Sequence, residues 1–510
     1  MNRKGINHQA YLSLNQLTIK ENKKSLYAIA QNLRKIFIAN LRKSGLKEDE
    51  LSIISALLLG DKQSLSLEAK ASYSNAGAMH VLAVSGLHVG IILYILTAVF
   101  NLIFGKDKFT FTKTSLTILL IWGFAFVTGL SISVLRSAIM FSFIAIGTVI
   151  KHKISIYNTI ALSAFVILLI NPLFLFDVGF QLSYVAVIGI ITIQPKIYNL
   201  IYVKNKYINH AWNITAVSIA AQISTLPISI YYFHQFPVYA LLSNLFVIYL
   251  ATALLVLGII AILISFIPQL LFIVYWILHP VIYLLNLIVE IVAELPIATI
   301  NSLYISSFEV LILYSLITTS YIYINSKKTK HLNISLGLIA LLLLSDHIEN
   351  YNLKHKTDLY IYNVKNQLAL NTISANVNAL IMNSNKNTNT KKIVRLFKNN
   401  WAYLDTPQPR IDTIEQDKNY ILTIKNKKIA IINTKINPRL LPKQVDIVLM
   451  NFKAKNISEI STTYPSNLYL INNNIWKKER TKLLVDSKNL KINTVDLSQH
   501  GSWKLDCNED

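Results

Sequence analysis

Two histidines and a serine lie at the start of the first strongly apolar stretch of the chain, at His80, Ser85 and His88 within residues 79–90. Polar and ionisable groups are costly at membrane depth, so they usually face a helix-bundle interior or a water-filled path. On a helix, the three-residue spacing between Ser85 and His88 would also bring a histidine base within reach of a serine nucleophile. A GxxxG step that begins at Gly86 indicates close helix packing when it stands alone. Because three polar side chains accompany it, a pore-lining or broken-helix site is the stronger prediction.

An arginine and an aspartate interrupt later apolar stretches. Arg136 lies a few residues inside a predicted span, where it must snorkel to the headgroups, pair with an anion or line water. A guanidinium can fork onto two phosphate oxygens, so a polyanion is the ligand that would give this position a function. Asp177 follows the helix break predicted at Pro172 and begins the next span. We expect it to cap that helix, with an ion pair to Arg136 as the alternative.

Amide side chains interrupt the span that Asp177 begins and the two spans after it. Gln181 and Tyr184 belong to a polar stripe that is either helix–helix hydrogen bonding or the wall of a hydrated path. Gln222 precedes Pro227, where a kink is tolerated if neighbours satisfy the freed carbonyl. Asn244 lies in the span after that. All three amides are candidates for the same path.

Composition places the chain among polytopic membrane proteins. The chain has 510 residues, of which 53% are hydrophobic and 15% charged, and its mean hydropathy is +0.44. The net charge of +23 indicates a basic surface for nucleic acid or anionic lipid; a compositional bias of the coding sequence explains it equally well. A single cysteine, Cys507, excludes an intramolecular disulfide and a cysteine zinc cage.

Three segments follow from the changes in composition. Residues 1–50 are polar, basic and amphipathic without the apolar region of a cleavable signal peptide, residues 51–347 form the membrane domain, and residues 348–510 form a soluble mixed α/β domain. The short apolar run 51–60 is expected to be interfacial or amphipathic, because it is too short to span. The predicted fold is therefore an α-helical polytopic membrane protein of about ten spans. The spans are predicted at 81–104, 114–131, 133–150, 155–172, 177–195, 212–231, 238–264, 269–295, 309–325 and 331–346.

Short apolar runs separated by polar turns predict the strands of the C-terminal domain. They lie at 358–364, 378–383, 420–424, 428–433, 445–451 and 467–471.

Four blocks of sequence resemble the ComEC family of competence DNA-uptake channel proteins. Residues 79–90 are similar to its HLLAISGLHVG signature, and residues 129–140 to its tGlspSvlRAliM block, with Ser137 where the family usually has alanine. Residues 171–184 and 222–244 are similar to its NPl.l.dvGFQLSf.av and aaql.tlPl.iyyFhqfp...l.aN blocks. The four blocks stand in the family's order, which makes the joint match specific.

The resemblance implies a channel in the cytoplasmic membrane that imports single-stranded DNA during natural transformation. Energy would come from partners, since no GxxxxGK[ST] pattern occurs. The expected partners are single-stranded DNA, membrane lipid, a DNA receptor and a cytoplasmic ATPase or helicase, and a homo-oligomer is compatible with this function. No residue is assigned a catalytic role, and neither a cofactor nor enzymatic activity is expected. The predicted path or gate residues are His80, Ser85, Gly86, His88, Arg136, Asp177, Gln181, Gln222 and Asn244.

Two departures from the family pattern limit this inference. Family members usually begin with membrane helices and an OB-like domain, and this chain is expected to start after them. Many members end in a metallo-β-lactamase-like domain with an HxHxDH motif, whereas the histidines after residue 350 are His355 and His500. We therefore expect a degenerate version of that fold, without metal and without hydrolysis.

Three other functions remain open. A small-solute secondary transporter would show an inverted hydropathy repeat, which the chain lacks. An intramembrane hydrolase would use Ser85 with His80 or His88. A truncated relic of the channel would fold without importing DNA.

Overall fold

The protein is described here by a computed structural model. The chain divides after residue 301 into two compact units. The predicted N-terminal segment lies outside the described residues up to residue 24, and so does His355. The residues described are 25–105, 109–150, 155–354, 357–364, 367–374, 377–383, 394, 397, 401, 406, 409–415, 418–434, 444–451 and 456–507.

Long apolar helices make up the first unit, together with a two-stranded antiparallel ribbon. The ribbon pairs β1 (Gln235–Pro237) with β2 (Thr299–Asn301). The helices are α1 (Leu26–Arg42), α2 (Glu48–Leu59), α3 (Leu67–Asn75), α4 (Gly86–Phe104), α5 (Thr110–Val127), α6 (Ile132–Val149), α7 (Ile156–Ile170), α8 (Val178–Tyr198), α9 (Lys206–Phe233), α10 (Ala240–Ile264) and α11 (Leu271–Glu294).

The predicted class of polytopic helical membrane protein is confirmed. Over the described residues, nine helices are long and apolar enough to cross a membrane: α4, α5, α6, α8, α9, α10 and α11 of the first unit, and two in the second. The fourth predicted span, 155–172, is instead the 15-residue helix α7, which is not among these nine. At 1.5 Å per residue it covers about 22 Å of a hydrocarbon core of about 30 Å. Pro172 disfavours helical geometry at the residue before it, so α7 stops at Ile170.

Helix α2 corrects the prediction for the run 51–60. Ten of its twelve residues are buried, and it lies inside the largest hydrophobic cluster, where Leu57 and Leu58 meet side chains of α10 and α11. A helix without a polar side cannot lie at the membrane interface with that side in water. Such a helix is stable only when other helices surround it. Helix α1 exposes most of the apolar residues on which its amphipathic pattern was predicted, among them Leu26 and Ile36, while Leu41 is buried.

The second unit begins with α12 (Ser307–Ser326) and α13 (Thr329–Lys354), which pack against each other as a hairpin. The predicted domain boundary near residue 347 falls close to the end of α13, whereas the division by contacts falls at residue 301. The strands are β3 (Thr357–Ile361), β4 (Ala369–Ser374), β5 (Val377–Asn383), β6 (Arg410–Ile414), β7 (Tyr420–Ile424), β8 (Lys427–Ile432), β9 (Ile447–Met450), β10 (Leu468–Ile471), β11 (Thr494–Asp496) and β12 (Trp503–Asp506).

Two five-stranded mixed sheets form the C-terminal domain. Their strand orders are β12–β3–β4–β5–β6 and β11–β10–β9–β8–β7. The inner faces share one apolar core, in which Leu359 and Leu370 of the first sheet meet Ile431 and Leu449 of the second. The outer face of the second sheet packs against α14 (Ile457–Thr463) and α15 (Lys477–Asn489). In the second sheet β8 to β11 run parallel, so their carboxyl ends lie at one edge.

The close packing of α2 on α10 gives a test of the fold. A Cβ added at Gly258 would lie 3.0 Å or less from three side-chain atoms of Leu58, which is buried and cannot move aside. We expect Gly258→Ala to destabilise the membrane unit by about 1–3 kcal/mol, measured as a lower thermal midpoint in fluorescence-detected size exclusion. Gly123→Ala in α5 is the matched control, because its Cβ would meet nothing within 4 Å. Equal midpoints for the two variants would contradict this packing.

Candidate functional site

Ser85 and His88 together form the N-terminus of α4. Ser85 has an extended backbone and caps the helix, so the span begins at Gly86 rather than at the predicted residue 81. The Ser85 backbone N–H donates to Nδ1 of His88 at 3.2 Å, and Ser85 Oγ lies 3.0 Å from the same nitrogen. Because Nδ1 accepts a hydrogen bond, a neutral His88 carries its proton on Nε2. Nε2 is buried without a hydrogen-bond partner.

Arg136 is a buried cation near the start of α6. The residue is only 5% exposed, and its Nε has no hydrogen-bond partner. The guanidinium Nη2 donates to Ser137 Oγ at 3.4 Å, and the guanidinium carbon lies 5.7 Å from the centre of the Tyr184 ring. Over the described part of the chain no carboxylate forms an ion pair with it. An unpaired buried charge is costly, so this position favours an anionic ligand.

The GxxxG step places α4 directly against Arg136. A Cβ at Gly86 would lie 2.8 Å from Nη2 of Arg136 and from Oγ of Ser137, whereas a Cβ at Gly90 would make ordinary contact with Phe141 at 3.5 Å. Close helix packing, the simpler interpretation of GxxxG, is therefore correct here. It also brings the positive end of the α4 dipole beside the guanidinium. The two positive groups together raise the positive electrostatic potential at this place.

Asp177 is a helix cap and does not pair with Arg136. Its Oδ1 accepts the backbone N–H groups of Gly179 at 2.8 Å and Phe180 at 3.3 Å. The alternative expectation of an ion pair is wrong, because the N-terminus of α8 already uses the carboxylate. Gln181 donates to the carbonyl oxygen of Leu175 at 3.0 Å in the turn before the helix. In this stretch Tyr184 is the side chain that reaches Arg136.

The remaining predicted path residues form no described hydrogen bond or ion pair with the Arg136 cluster. His80 is on the exposed loop before α4, with Nδ1 3.1 Å from the carbonyl oxygen of Gly77, and its imidazole is close enough to His88 for the two rings to interact electrostatically. Gln222 is half-buried on α9. Asn244, on α10, has a buried Oδ1 without a partner. The structure thus brings together Ser85, Gly86, His88 and Arg136 with His80 near His88, and no described contact joins the other four to them.

A groove of about 660 Å³ lies between α4, α6 and α10. Its lining includes Gly86, Gly90 and Tyr94 of α4, Phe141 of α6 and Thr252 of α10. The walls are mostly apolar, whereas a hydrated polar path was expected. Gly86 borders both the groove and the guanidinium of Arg136, so a ligand in the groove would lie beside the buried cation.

Two interactions were not predicted from the sequence. Glu50 of α2 is buried and its Oε1 lies 2.7 Å from Nδ1 of His279 in α11, where the ring of Tyr275 stacks on the imidazole with centres 4.8 Å apart. An ionisable histidine inside an apolar span was the signal for this pair. Tyr184 was assigned to a polar stripe, but its contact with Arg136 depends on how α6 and α8 pack.

The described residues hold no group of three histidine, cysteine, aspartate or glutamate side chains that could bind a metal ion. Of the two C-terminal histidines, His500 ends the short helix α16 (Leu497–His500) and His355 lies outside those residues.

Comparisons with known proteins match both units of the chain. The family model for Competence protein matches residues 57–327, and that for the ComEC C-terminal domain matches residues 359–507. ComE operon protein 3 of Bacillus subtilis (strain 168) is 34% identical over 218 residues, which cover 42% of this chain and 26% of the relative. The chain thus matches about a quarter of the relative's length. No solved structure matches.

The Ser85–His88 cap can be tested by stability. His88→Ala removes the acceptor of the Ser85 N–H, and we expect a loss of about 1 kcal/mol, seen as a lower thermal midpoint of the purified protein. His88→Gln should recover most of it, because glutamine at the third helical position also accepts from the cap residue. His80→Ala serves as the control on the exposed loop. A wild-type midpoint for His88→Ala would argue against the cap.

Proposed function

The chain belongs to the ComEC competence protein family, and on that premise we propose that it forms a channel that carries single-stranded DNA inward across the cytoplasmic membrane during natural transformation. The chain is a multi-pass protein of that membrane. The observation that carries the proposal is the buried guanidinium of Arg136, which has no carboxylate partner among the described residues and lies beside a helix N-terminus.

A phosphate of the DNA backbone fits the chemistry around Arg136. Its planar fork matches two phosphate oxygens, and a helix N-terminus attracts the same anion. Ser137 and Tyr184 hold the guanidinium from one side through neutral contacts. Neutral contacts position the cation without neutralising it, so its charge stays available to a passing phosphate.

The apolar groove suits the other face of the strand. Tyr94 and Phe141 line it with aromatic rings, and bases stack on aromatic side chains irrespective of sequence. In this arrangement phosphates pass Arg136 while bases slide along the groove on the far side of Gly86. A path of this kind binds every base weakly, which a conducting channel needs in order to release the strand.

Ser85 and His88 supply a second candidate function. Their 3.0 Å contact meets the distance requirement for a serine nucleophile and a histidine base. Nε2 of His88 has no partner to orient the ring, and Nδ1 also accepts the Ser85 N–H. We therefore propose that the contact caps α4 and that the chain is not an enzyme.

The two functions differ in the reactivity of Ser85. A fluorophosphonate probe, which labels activated serines, is expected to leave the purified protein unlabelled in mass spectrometry. Labelling of wild type that disappears in both Ser85→Ala and His88→Ala would instead establish the hydrolase. A purified serine hydrolase labelled in the same tube controls for probe activity.

Energy and DNA delivery would come from other proteins. We propose a DNA receptor outside the membrane and an ATPase or helicase in the cytoplasm as partners, since the sequence contains no phosphate-binding loop. A homo-oligomer is compatible with the same function. A small-solute transporter finds no support in the site, and an inactive relic is distinguished by uptake in a deletion strain.

Arg136 is the position at which uptake should fail first. In a deletion strain that re-expresses the chain, Arg136→Gln should lower cytoplasmic uptake of labelled DNA at least about tenfold, because one charge-assisted hydrogen bond contributes about 1.5–3 kcal/mol. Arg136→Lys should retain part of the uptake, since it keeps the charge and loses the fork. Protein levels in the membrane are measured in parallel.

Two glycines of spanning helices provide a matched pair for the same assay. Gly86→Ala would push a methyl group into the guanidinium and is expected to lower uptake, whereas Gly123→Ala on α5, whose added Cβ would meet nothing within 4 Å, should not. Unchanged uptake in both Arg136→Ala and His88→Ala, with each variant present in the membrane at the wild-type level, would show that the DNA path does not pass this site. No import by the wild-type chain would favour the relic.

A further inference from the structure

An exposed tryptophan stands out in the C-terminal domain. Trp476 is 81% exposed, whereas Trp401 of the same domain is 3% exposed. A tryptophan ring covers roughly 150–250 Å² when it is buried, and it dominates the interfaces in which it occurs. Trp476 comes directly before α15, a helix of 13 residues. An uncovered ring at a fixed place in the fold points to a ligand that covers it.

Trp476 belongs to the edge where the parallel strands of the second sheet end. Strands β8, β9 and β10 are each followed by an asparagine: Asn433, Asn451 and Asn472. Ligands of α/β sheets usually bind beyond the carboxyl ends of the strands. At this edge neutral amides replace the imidazoles and carboxylates of a metal site, so a resident metal does not fit the donors that the structure describes.

The amides hold one another in a buried network. Asn451 Nδ2 donates to Asn433 Oδ1 at 2.7 Å, and Asn472 Nδ2 donates to Asn451 Oδ1 at 2.8 Å. Asn474 Nδ2 donates to the same oxygen at 2.6 Å. The network therefore fixes the loop between β10 and α15 at its first and third residues.

The end of that loop is fixed as well. The Ile475 side chain is 2% exposed, and its N–H donates to the Asn472 carbonyl oxygen at 3.2 Å. Arg480 Nη1 donates to the Asn473 carbonyl oxygen at 3.4 Å, and its Nε lies 3.7 Å from Asp496 Oδ2. A backbone held at each of these points fixes the place from which the Trp476 side chain extends, so only its two side-chain torsions remain to be ordered on binding.

Lysines follow Trp476 in the first two turns of α15. Lys477, Lys478 and Lys482 are all exposed, and Lys478 and Lys482 share one helix face because they are four residues apart. Glu479 is the acidic residue of the first turn, and Arg480 is directed towards Asp496. The surface beside Trp476 therefore keeps an excess of positive charge, to which the positive end of α15 adds.

We propose that Trp476 is a stacking platform for a base of single-stranded DNA, with Lys477 and Lys478 on the flanking phosphates. An aromatic ring next to cations is the usual chemistry of sequence-tolerant single-strand binding. The proposal rests on the proposed function for the identity of the strand. The C-terminal domain then holds the strand by stacking, and no bond of the DNA is broken.

A membrane interface is the rival occupant, because tryptophan and lysine also anchor proteins at headgroups. The edge of the sheet favours the DNA strand. The ring lies where parallel strands end, the edge at which ligands of α/β sheets usually bind, and a lipid anchor requires no such place.

The full chain in nanodiscs is titrated against a labelled 20-nucleotide oligothymidylate and an abasic 20-mer with the same phosphates, with binding followed by fluorescence anisotropy. We expect Trp476→Ala to weaken oligothymidylate binding roughly tenfold and Trp476→Phe to weaken it much less, since phenylalanine still stacks. The abasic strand should bind wild type and Trp476→Ala alike. The double variant Lys477→Gln, Lys478→Gln should reduce the salt dependence of log K by about 1.4, the effect of two phosphate contacts.

Trp276→Ala is the matched control, because this tryptophan is 74% exposed but lies on the spanning helix α11. Oligothymidylate binding that is absent in wild type, or equal in wild type and Trp476→Ala, overturns the proposal. So does quenching by brominated lipid of the fluorescence that Trp476→Phe removes, because the ring would then lie in the membrane. DNA uptake in the Arg136 variants decides the channel separately, so either proposal can fail alone.

Discussion

A buried positive charge with no carboxylate partner among the described residues constrains how α4, α6 and α8 pack. Arg136 is enclosed by these three helices, and each neighbour meets it through a neutral group: Ser137 by its hydroxyl, Tyr184 by its ring and Gly86 by an absent side chain. Removing a charge from water costs several kcal/mol after relaxation. In the function proposed here, an anion from outside the described residues offsets that cost.

Packing around this cation follows from small residues and caps. Gly86 allows the close approach of α4, and the Ser85–His88 cap sets where that helix begins. Asp177, the counter-ion that the sequence suggested for Arg136, caps α8 instead. The pair of Glu50 and His279 shows the opposite solution, in which a buried carboxylate and an imidazole 2.7 Å apart join α2 to α11. The Glu50–His279 pair thus holds two helices together, whereas Arg136, unpaired within the described part of the chain, is the site proposed here to accept a ligand.

In the functions proposed here, the two units bind single-stranded DNA by different chemistry. In the membrane unit a guanidinium beside an apolar groove suits phosphates and bases on opposite sides of Gly86. In the C-terminal domain an amide network pins a loop that carries an exposed indole beside lysines. Both arrangements recognise the strand without its sequence, because backbone charge and stacking are common to every nucleotide.

The sequence by itself determined the class of fold and the residues to examine. Long apolar stretches have few structural options in a membrane, so the helical class followed from composition, and polar residues inside those stretches marked Arg136 and His88 as candidates. Strands β4, β6, β11 and β12 were missed because each is either at most four residues long or at least half polar, and their pairing with other strands, rather than local pattern, makes them strands. Only the tertiary structure decided that α2 is core, that Asp177, which the sequence predicted as a helix cap, does not also pair with Arg136, and that Tyr184 and Gly86 reach the guanidinium. Those outcomes depend on which helices lie side by side, and a periodicity of 3.6 residues carries no information about that choice.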